Sequence, residues 1–370
     1  MDSTSSDHIF NPFPPSSKED WLKAAIIELA GADPIQKLSS ENRNLKSLPY
    51  YDRQDAALLR NFQLTPSSGE FLDARGWYNM PLLLVTNEVE SNQKARSELN
   101  SGADGIILTI NNPTTDIFTL LEKIEWPYCA ISLTGNISGS LLNKIHTLAA
   151  EKAYTETTLV GCVFGNSPIA NQIESLKLFE NWTNFHPLGI TIEEKESPAE
   201  EIAIALALAV KQIDLLTNKG LSLKQALDAH AFKINVDEDF FLNIAKLKAL
   251  RFLWNNVVRS FDAHAYAPLF IHAFSAAWIK KEYQPNGNML AGTTAAVSAI
   301  LGGCDALTIM PEENNNAMME RVARNVSSVL REESHLSKVA DPTAGSYYLE
   351  SMINQLSDQA WQIFQKEMTV

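Results

Sequence analysis

The chain has 370 residues, 45% of them apolar, which is ample for one large core. Its formal net charge is −14, and so acidic a surface repels phosphate backbones and anionic lipid, making nucleic acid and membrane surfaces poor partners. Small anionic ligands are not excluded, because a local cluster of Lys and Arg can outweigh the net charge.

Residues 1–17 are polar and proline-bearing, as in Asn11-Pro12-Phe13-Pro14-Pro15, and read as an extended arm without the basic and apolar regions of a signal peptide. Ser16 and Ser17, each followed three residues on by Glu19 or Asp20, give two candidate capping boxes. A short helix is expected over Trp21–Ala30, stopped by Gly31 and Pro34. This arm, taken as residues 1–45, has two readings: a strap on its own domain or a strap on another subunit.

From residue 46 to 370 the pattern becomes that of one domain. Continuous apolar runs predict buried parallel strands at Pro81–Thr86, Gly105–Ile110, Cys129–Thr134, Thr158–Phe164, Leu188–Ile192, Phe232–Val236, Leu269–Phe274 and Ala306–Ile309. Helical patterns lie between them at Glu90–Leu99, Ile117–Lys123, Leu141–Glu151, Pro168–Asn181, Pro198–Asn218, Glu238–Arg259 and Leu290–Leu301. About eight β–α units in roughly 300 residues point to an α/β fold of the (β/α)8 TIM-barrel kind. A doubly wound open sheet remains the alternative, because sequence does not specify strand order. The longest nearly apolar run, Ile202–Val210, is too short to span a bilayer. Cys129, Cys162 and Cys304 are widely spaced in apolar surroundings, as expected of reduced thiols in a cytoplasmic protein rather than a disulfide framework or a zinc site.

The stretch Arg331–Glu350, R-E-E-S-H-L-S-K-V-A-D-P-T-A-G-S-Y-Y-L-E, resembles the Q-E-E-S-G…D-P-x-G-G-S-Y-Y-x-E signature of methylmalonyl-CoA mutases. Asp341, Pro342, Gly345, Ser346, Tyr347, Tyr348 and Glu350 stand where that family has them. Further patches occur in the family's order: Asn44–Tyr51 resembles V-K-P-L-Y, Phe240–Trp254 resembles F-F-x-E-I-A-K-L-R-A-x-R-x-L-W, and Arg321–Asn325 resembles R-I-A-R-N. The resemblance implies a barrel domain of the acyl-CoA mutase kind.

It breaks where the family's chemistry lies. The family's S-G-Y-H strand corresponds to Leu188-Gly189-Ile190-Thr191, so Ile190 stands for Tyr and Thr191 for the His that approaches the acyl group. Threonine cannot serve as an imidazole-type donor or acid. The family's R-T-H-S-Q-T-S-G-W corresponds to Phe270–Trp278. There His272 and Trp278 are kept and Ser275 keeps the family Thr's hydroxyl, while Phe270, Phe274 and Ala277 replace Arg, Gln and Gly. A later family Arg corresponds to Ala291, and L-H-T-N to Leu307-Thr308-Ile309-Met310. The early R-Q-Y-A-G-F segment has no counterpart around residues 55–80. A lumen so altered is expected to be filled, the usual state of a (β/α)8 core. No catalytic residue is expected. His272, Ser275 and Trp278 could form a vestigial acyl-CoA pocket, with His272 read otherwise as a packed core histidine.

Cobalamin binding in the family uses D-x-H-x-x-G in a domain beyond the barrel. Asp228-Ala229-His230 and Asp262-Ala263-His264 are near-misses inside the barrel, followed by Lys233 and Ala267 where Gly is needed. About 20 residues follow Glu350, too few for a flavodoxin-like domain. The resemblance therefore implies the small, structural subunit of an adenosylcobalamin-dependent methylmalonyl-CoA mutase. Its partner would be a large subunit that holds the cofactor and interconverts methylmalonyl-CoA and succinyl-CoA, while this chain would hold neither cofactor nor metal. The alternatives are a stand-alone TIM-barrel enzyme using Glu193, Glu194 and His272, or a regulatory acyl-CoA-binding protein. Other features read first as structure: His186 beside a strand, Glu193-Glu194-Lys195-Glu196 as a solvated loop, Gly135–Ser140 as a βα turn, and Asn314-Asn315-Asn316 as a helix start.

Overall fold

A computed structural model describes residues 16–56, 64–65, 73–275, 287–313 and 316–369. Eight parallel strands form a closed ring. The first runs through Tyr78–Asn79 and Leu82–Val85, followed by Gly105–Ile110, Ala130–Gly135, Gly161–Gly165, Phe185–His186 with Leu188–Thr191, His230–Val236, Phe270–Ser275 and Ala306–Thr308. Each pairs with its sequence neighbours, and the eighth pairs with the first through Ala306↔Tyr78 and Leu307↔Asn79. This is the (β/α)8 barrel, and the open-sheet alternative is set aside by that last pairing. The first and fifth strands are each interrupted by a proline, Pro81 and Pro187, which has no N–H for a ladder. Both were expected only from their second halves, because Tyr78–Asn79 and Phe185–His186 are too short to carry a pattern of their own.

Side chains alternate along the strands, so each strand serves two cores. Outward residues such as Ile106, Leu108, Ile131, Phe232, Ile234 and Ile271 join the large core beneath the helices. Inward residues form two small lumen clusters, Ile107, Cys162, Phe164, Ala231 and Phe274 in one, Met80, Ala130 and Ala306 in the other. A ring of eight strands is just wide enough for side chains to fill.

Long helices cover the barrel at Glu88–Asn100, Gly139–Glu151, Pro198–Asn218, Phe240–Phe261, Gly287–Gly302 and Ala317–Glu332. Asn87, Ser138 and Asn316 cap three of them with side-chain oxygens, and Pro198 opens another at its first turn. The helix expected over Pro168–Asn181 is instead split into 3-10 and α turns. Its buried residues Ile173, Leu176, Phe179 and Trp182 recur every third position, the period of a 3-10 helix rather than 3.6. A final helix, Tyr347–Thr369, was not expected; it lies against helices Pro198–Asn218 and Phe240–Phe261 and buries Leu349, Met352, Ile353, Leu356 and Ala360. Among the described residues no helix is long and apolar enough to cross a membrane.

From Ser16 onward the N-terminal segment folds back on its own barrel, and residues 1–15 of the expected arm lie outside the described residues. Ser17 and Asp20 form the capping box of helix Lys18–Glu28. The helix is tied down by a Lys18–Asp55 ion pair at 2.8 Å and by Trp21 stacked on Tyr50 at 5.2 Å. A hairpin, Ser40–Asn42 with Leu45–Ser47, spans the expected domain boundary at 45/46, and its two turn residues Arg43 and Asn44 are left-handed, as a type I′ turn requires. Gln355 of the last helix both donates to and accepts from the Lys46 backbone, and Gln359 donates to the Asn44 carbonyl.

The block that carries the strongest resemblance is a structural bolt. Lys248 and Asp341, each 1% exposed, pair at 2.8 Å. Lys248 also donates to Thr343 Oγ1, and the Leu64 N–H donates to Asp341. Burial alone would raise the Asp341 carboxyl, but the hydrogen bonds from Lys248, Leu64 and Thr343 outweigh it and hold it below its ordinary 3.8. Its stabilising share is therefore full above about pH 3.8 and is lost as pH falls further. Replacing Asp341 by Ala strands the Lys248 ammonium and should cost about 3–5 kcal/mol in urea unfolding. The double variant Lys248→Met, Asp341→Leu should recover much of that loss, since it leaves no unpaired charge.

Candidate functional site

The lumen of the barrel is where the sequence places the vestigial pocket, and its geometry centres on His272. The ring is fully buried, on the inward face of the seventh strand. Its Nε2 lies 2.8 Å from Thr308 Oγ1, and Thr308 Oγ1 donates to the Met80 carbonyl at 2.6 Å. A hydroxyl has one proton, and Met80 takes it, so Thr308 accepts from His272. The ring is therefore the Nε2–H tautomer, and its buried Nδ1 presents a lone pair that no group among the described residues satisfies. Burial pushes the His272 pKa down to about 3, and the charge of Lys233 acts in the same sense. A neutral imidazole spent on a structural hydrogen bond is a poor acid at neutral pH.

Phe164 and Phe274 flank this ring at 6.0 and 4.6 Å between centroids. Phe164 also leans on the fifth strand, where a Cβ at Gly189 would meet its ring at 2.4 Å; only glycine fits there. Lys233 projects from the sixth strand with Nζ 4.6 Å from the Phe274 centroid. In the sequence Lys233 stands out only as a departure from D-x-H-x-x-G, although its place between Phe232 and Ile234 in an apolar run marks a cation on the inward face.

The other expected positions do not assemble around His272. Ser275 is buried but on the opposite face of its strand, where its Oγ accepts the Met310 N–H at 2.8 Å. Trp278 and Ala277 lie outside the described residues. Ile190 does not fill the lumen as anticipated; it faces the outer core, because Gly189 occupies the inward position beside Phe164. Thr191 is exposed at the end of the fifth strand. The lumen is filled by Phe164 and Phe274 instead.

Glu193 is 81% exposed and Glu194 is exposed, in a solvated loop. The buried carboxylate nearby is Glu201, which the sequence reading did not single out. It pairs with Lys246 at 3.1 Å and accepts the Lys195 N–H, while Lys246 also donates to the Asn235 carbonyl. All members are satisfied, which is the mark of a structural pair. His186 Nδ1 contacts the Asp228 carbonyl at 2.7 Å. The Gly135–Ser140 segment is a βα turn whose Ser138 caps the next helix, and Asn316 caps the helix it precedes, Asn314 and Asn315 lying outside the described residues.

Both near-miss histidines lie outside the lumen. His230 is buried with Nδ1 at 2.6 Å from the Ala226 carbonyl and Nε2 at 3.1 Å from Gln212. His264 is exposed in the loop between helix Phe240–Phe261 and the seventh strand, on the N-terminal side of the barrel. Among the described residues no group of three His, Cys, Asp or Glu side chains could hold a metal.

A histidine held neutral in the fold stabilises it above its unfolded value of 6.5, and that share is lost as pH falls toward about 3. Chemical denaturation should show stability falling below about pH 6.5, with His272 contributing up to about 1.4 kcal/mol per pH unit. The variant His272→Gln should show a shallower slope.

Comparison with known proteins follows the same lines. Residues 179–368 match the family model described as methylmalonyl-CoA mutase. A methylmalonyl-CoA mutase small subunit of Porphyromonas gingivalis is 26% identical over 97% of this chain and 64% of its own length. One from Streptomyces virginiae is 26% identical over 96% of this chain and again 64% of its own. A methylmalonyl-CoA mutase of Escherichia coli is 32% identical over 45% of this chain and 24% of its own length. The chain thus spans a little under two thirds of the small subunits it resembles over nearly its whole length. With half of its residues inside the family model and its barrel closed as described, the chain belongs to the methylmalonyl-CoA mutase family.

Proposed function

We propose that this chain is a non-catalytic small subunit, a barrel that supports the large subunit of an adenosylcobalamin-dependent methylmalonyl-CoA mutase. The observation that carries this reading is the state of the lumen. Phe164 and Phe274 occupy it, and His272 is neutral and committed to Thr308. Thr191 stands on the strand where the family's acyl-proximal histidine is expected. A radical rearrangement needs a site that holds substrate against the cofactor and excludes water, and the chemistry itself is the cofactor's. On this reading that site, with adenosylcobalamin and methylmalonyl-CoA, belongs to the large subunit. The small-subunit names of the full-length relatives support the assignment.

The arm supplies part of the contact in this reading. Helix Lys18–Glu28 touches its own barrel through Lys18 and Trp21 yet leaves Ile27 80% and Ile26 41% exposed. An apolar edge of that kind on an acidic chain is suited to burial against a partner of standard interface size. Three free cysteines support a reducing compartment, the cytoplasm on this reading.

Mixed with a methylmalonyl-CoA mutase large subunit, the chain should elute as a heterodimer, and removal of residues 1–45 should weaken the complex by about tenfold or more, equivalent to about 1.4 kcal/mol. The chain alone should leave the adenosylcobalamin spectrum unchanged and show no turnover of methylmalonyl-CoA. Turnover by the chain alone, or failure to associate, would overturn the proposal.

A further inference from the structure

One lumen side chain serves neither the packing nor the subunit role. Lys233 lies between Phe232 and Ile234, both in the outer core, so its own side chain points inward. It shares a rung with Thr191 on one side and His272 on the other. Its Nζ rests over the Phe274 ring, and among the described residues it has no carboxylate or other hydrogen-bond acceptor. Lys233 is half-buried, and partly withdrawing a cation from water without an acceptor has a cost that the aromatic face offsets only in part. Burial accordingly draws the ammonium pKa below its ordinary 10.5.

His272, on the adjacent strand, offers no negative charge to offset this, and its orphaned Nδ1 marks the same wall of the lumen as polar and unsatisfied. Toward the C-terminal ends of the strands, among the described residues, Thr191 and Asn235 are exposed, and Leu84 is 57% exposed on the first strand. Lys233 is thus an unpaired amine with an apolar wall, reached from the C-terminal face of the barrel, where this fold presents its reactive groups.

We propose that Lys233 is a carbonyl-reactive amine that forms a reversible imine with a small aldehyde bearing an apolar tail. The neutral amine adds its lone pair to the carbonyl carbon, and the carbonyl π pair moves to oxygen. The nitrogen's proton passes through solvent to that oxygen, giving a carbinolamine. Loss of water then leaves the C=N bond; nothing is oxidised or reduced, and hydrolysis restores the lysine. The aldehyde's tail is directed to the edge of the Phe274 ring beneath Lys233 and to Leu84 at the mouth. This reaction is independent of the partner reading, and either can fail without the other.

The test is reductive trapping on the full chain. Folded protein is treated near neutral pH with limiting propionaldehyde and cyanoborohydride, which reduces the imine to a stable N-propyl amine. Peptide mass mapping then ranks the lysines. Lys233 should be labelled about tenfold or more faster than the median surface lysine, because its amine is unpaired and seated beside an aromatic wall. The preference should vanish in denaturant, where all lysines become equivalent. Lys233→Arg should lose the fast adduct while keeping the far-ultraviolet circular dichroism of the parent. Labelling of Lys233 in the folded chain at or below the surface rate would overturn the proposal.

Discussion

The ladder that joins the eighth strand to the first is the constraint on which the rest depends. Tyr78 donates to the Asp305 carbonyl at 2.9 Å and Met80 to the Leu307 carbonyl at 3.0 Å, and with these bonds the sheet has no edge. Closure brings three inward groups from consecutive strands into one line: His272 on the seventh, Thr308 on the eighth and the Met80 carbonyl on the first. A histidine that would otherwise be a free titrating group becomes part of the seam. Its neutrality follows from burial inside a closed ring, and its tautomer follows from the single proton of Thr308.

Outside the ring, charge is used in the opposite way. Asp104 and Asp305, just before the second and eighth strands, accept the Asn79 and Ile271 N–H groups and pair with Arg331 and Arg251. Arg331 also stacks on Trp77 at 4.9 Å. With Lys248–Asp341 and Lys246–Glu201, these pairs fix helices and connecting loops to the barrel. Each ion in them has further hydrogen bonds, the condition under which an ion pair held away from water is tolerated. Function-bearing families place stabilising groups at the N-terminal face of this fold and chemistry at the other. Here the described ion pairs Arg331–Asp104 and Arg251–Asp305 sit at the N-terminal face.

On the proposed non-catalytic reading, that division lets a family fold persist without the family's chemistry. The packing blocks, Phe240–Trp254 and Asp341–Glu350, answer to helix burial and to the Lys248–Asp341 bolt, so losing the substrate site does not relax them. Lumen positions carry no such constraint once substrate is absent, and large apolar side chains there lower the free energy of the fold. Lys233 is the exception, an amine retained in the lumen against the cost of its burial.

The repeating order of apolar runs and helical stretches, read without coordinates, determined the fold class, since parallel strands buried on both faces and amphipathic covers leave few architectures. Local rules also located most elements: Ser17 starts its helix, and Pro198 opens a helix with the bounds expected. The helix Tyr347–Thr369 is less legible, because it begins inside the Asp341–Glu350 block. The candidate site was legible only by residue identity. His272 could be named from its string, but its role depends on a hydroxyl 36 positions away and a carbonyl 192 positions before it. Ser275 is next to Phe274 in sequence yet faces the other way, because strand neighbours alternate sides. Local pattern reports propensity and period, which are properties of nearby residues. Which side chains meet, which charges are paired and which lone pairs stay empty are properties of ring closure, and only the tertiary structure decides them.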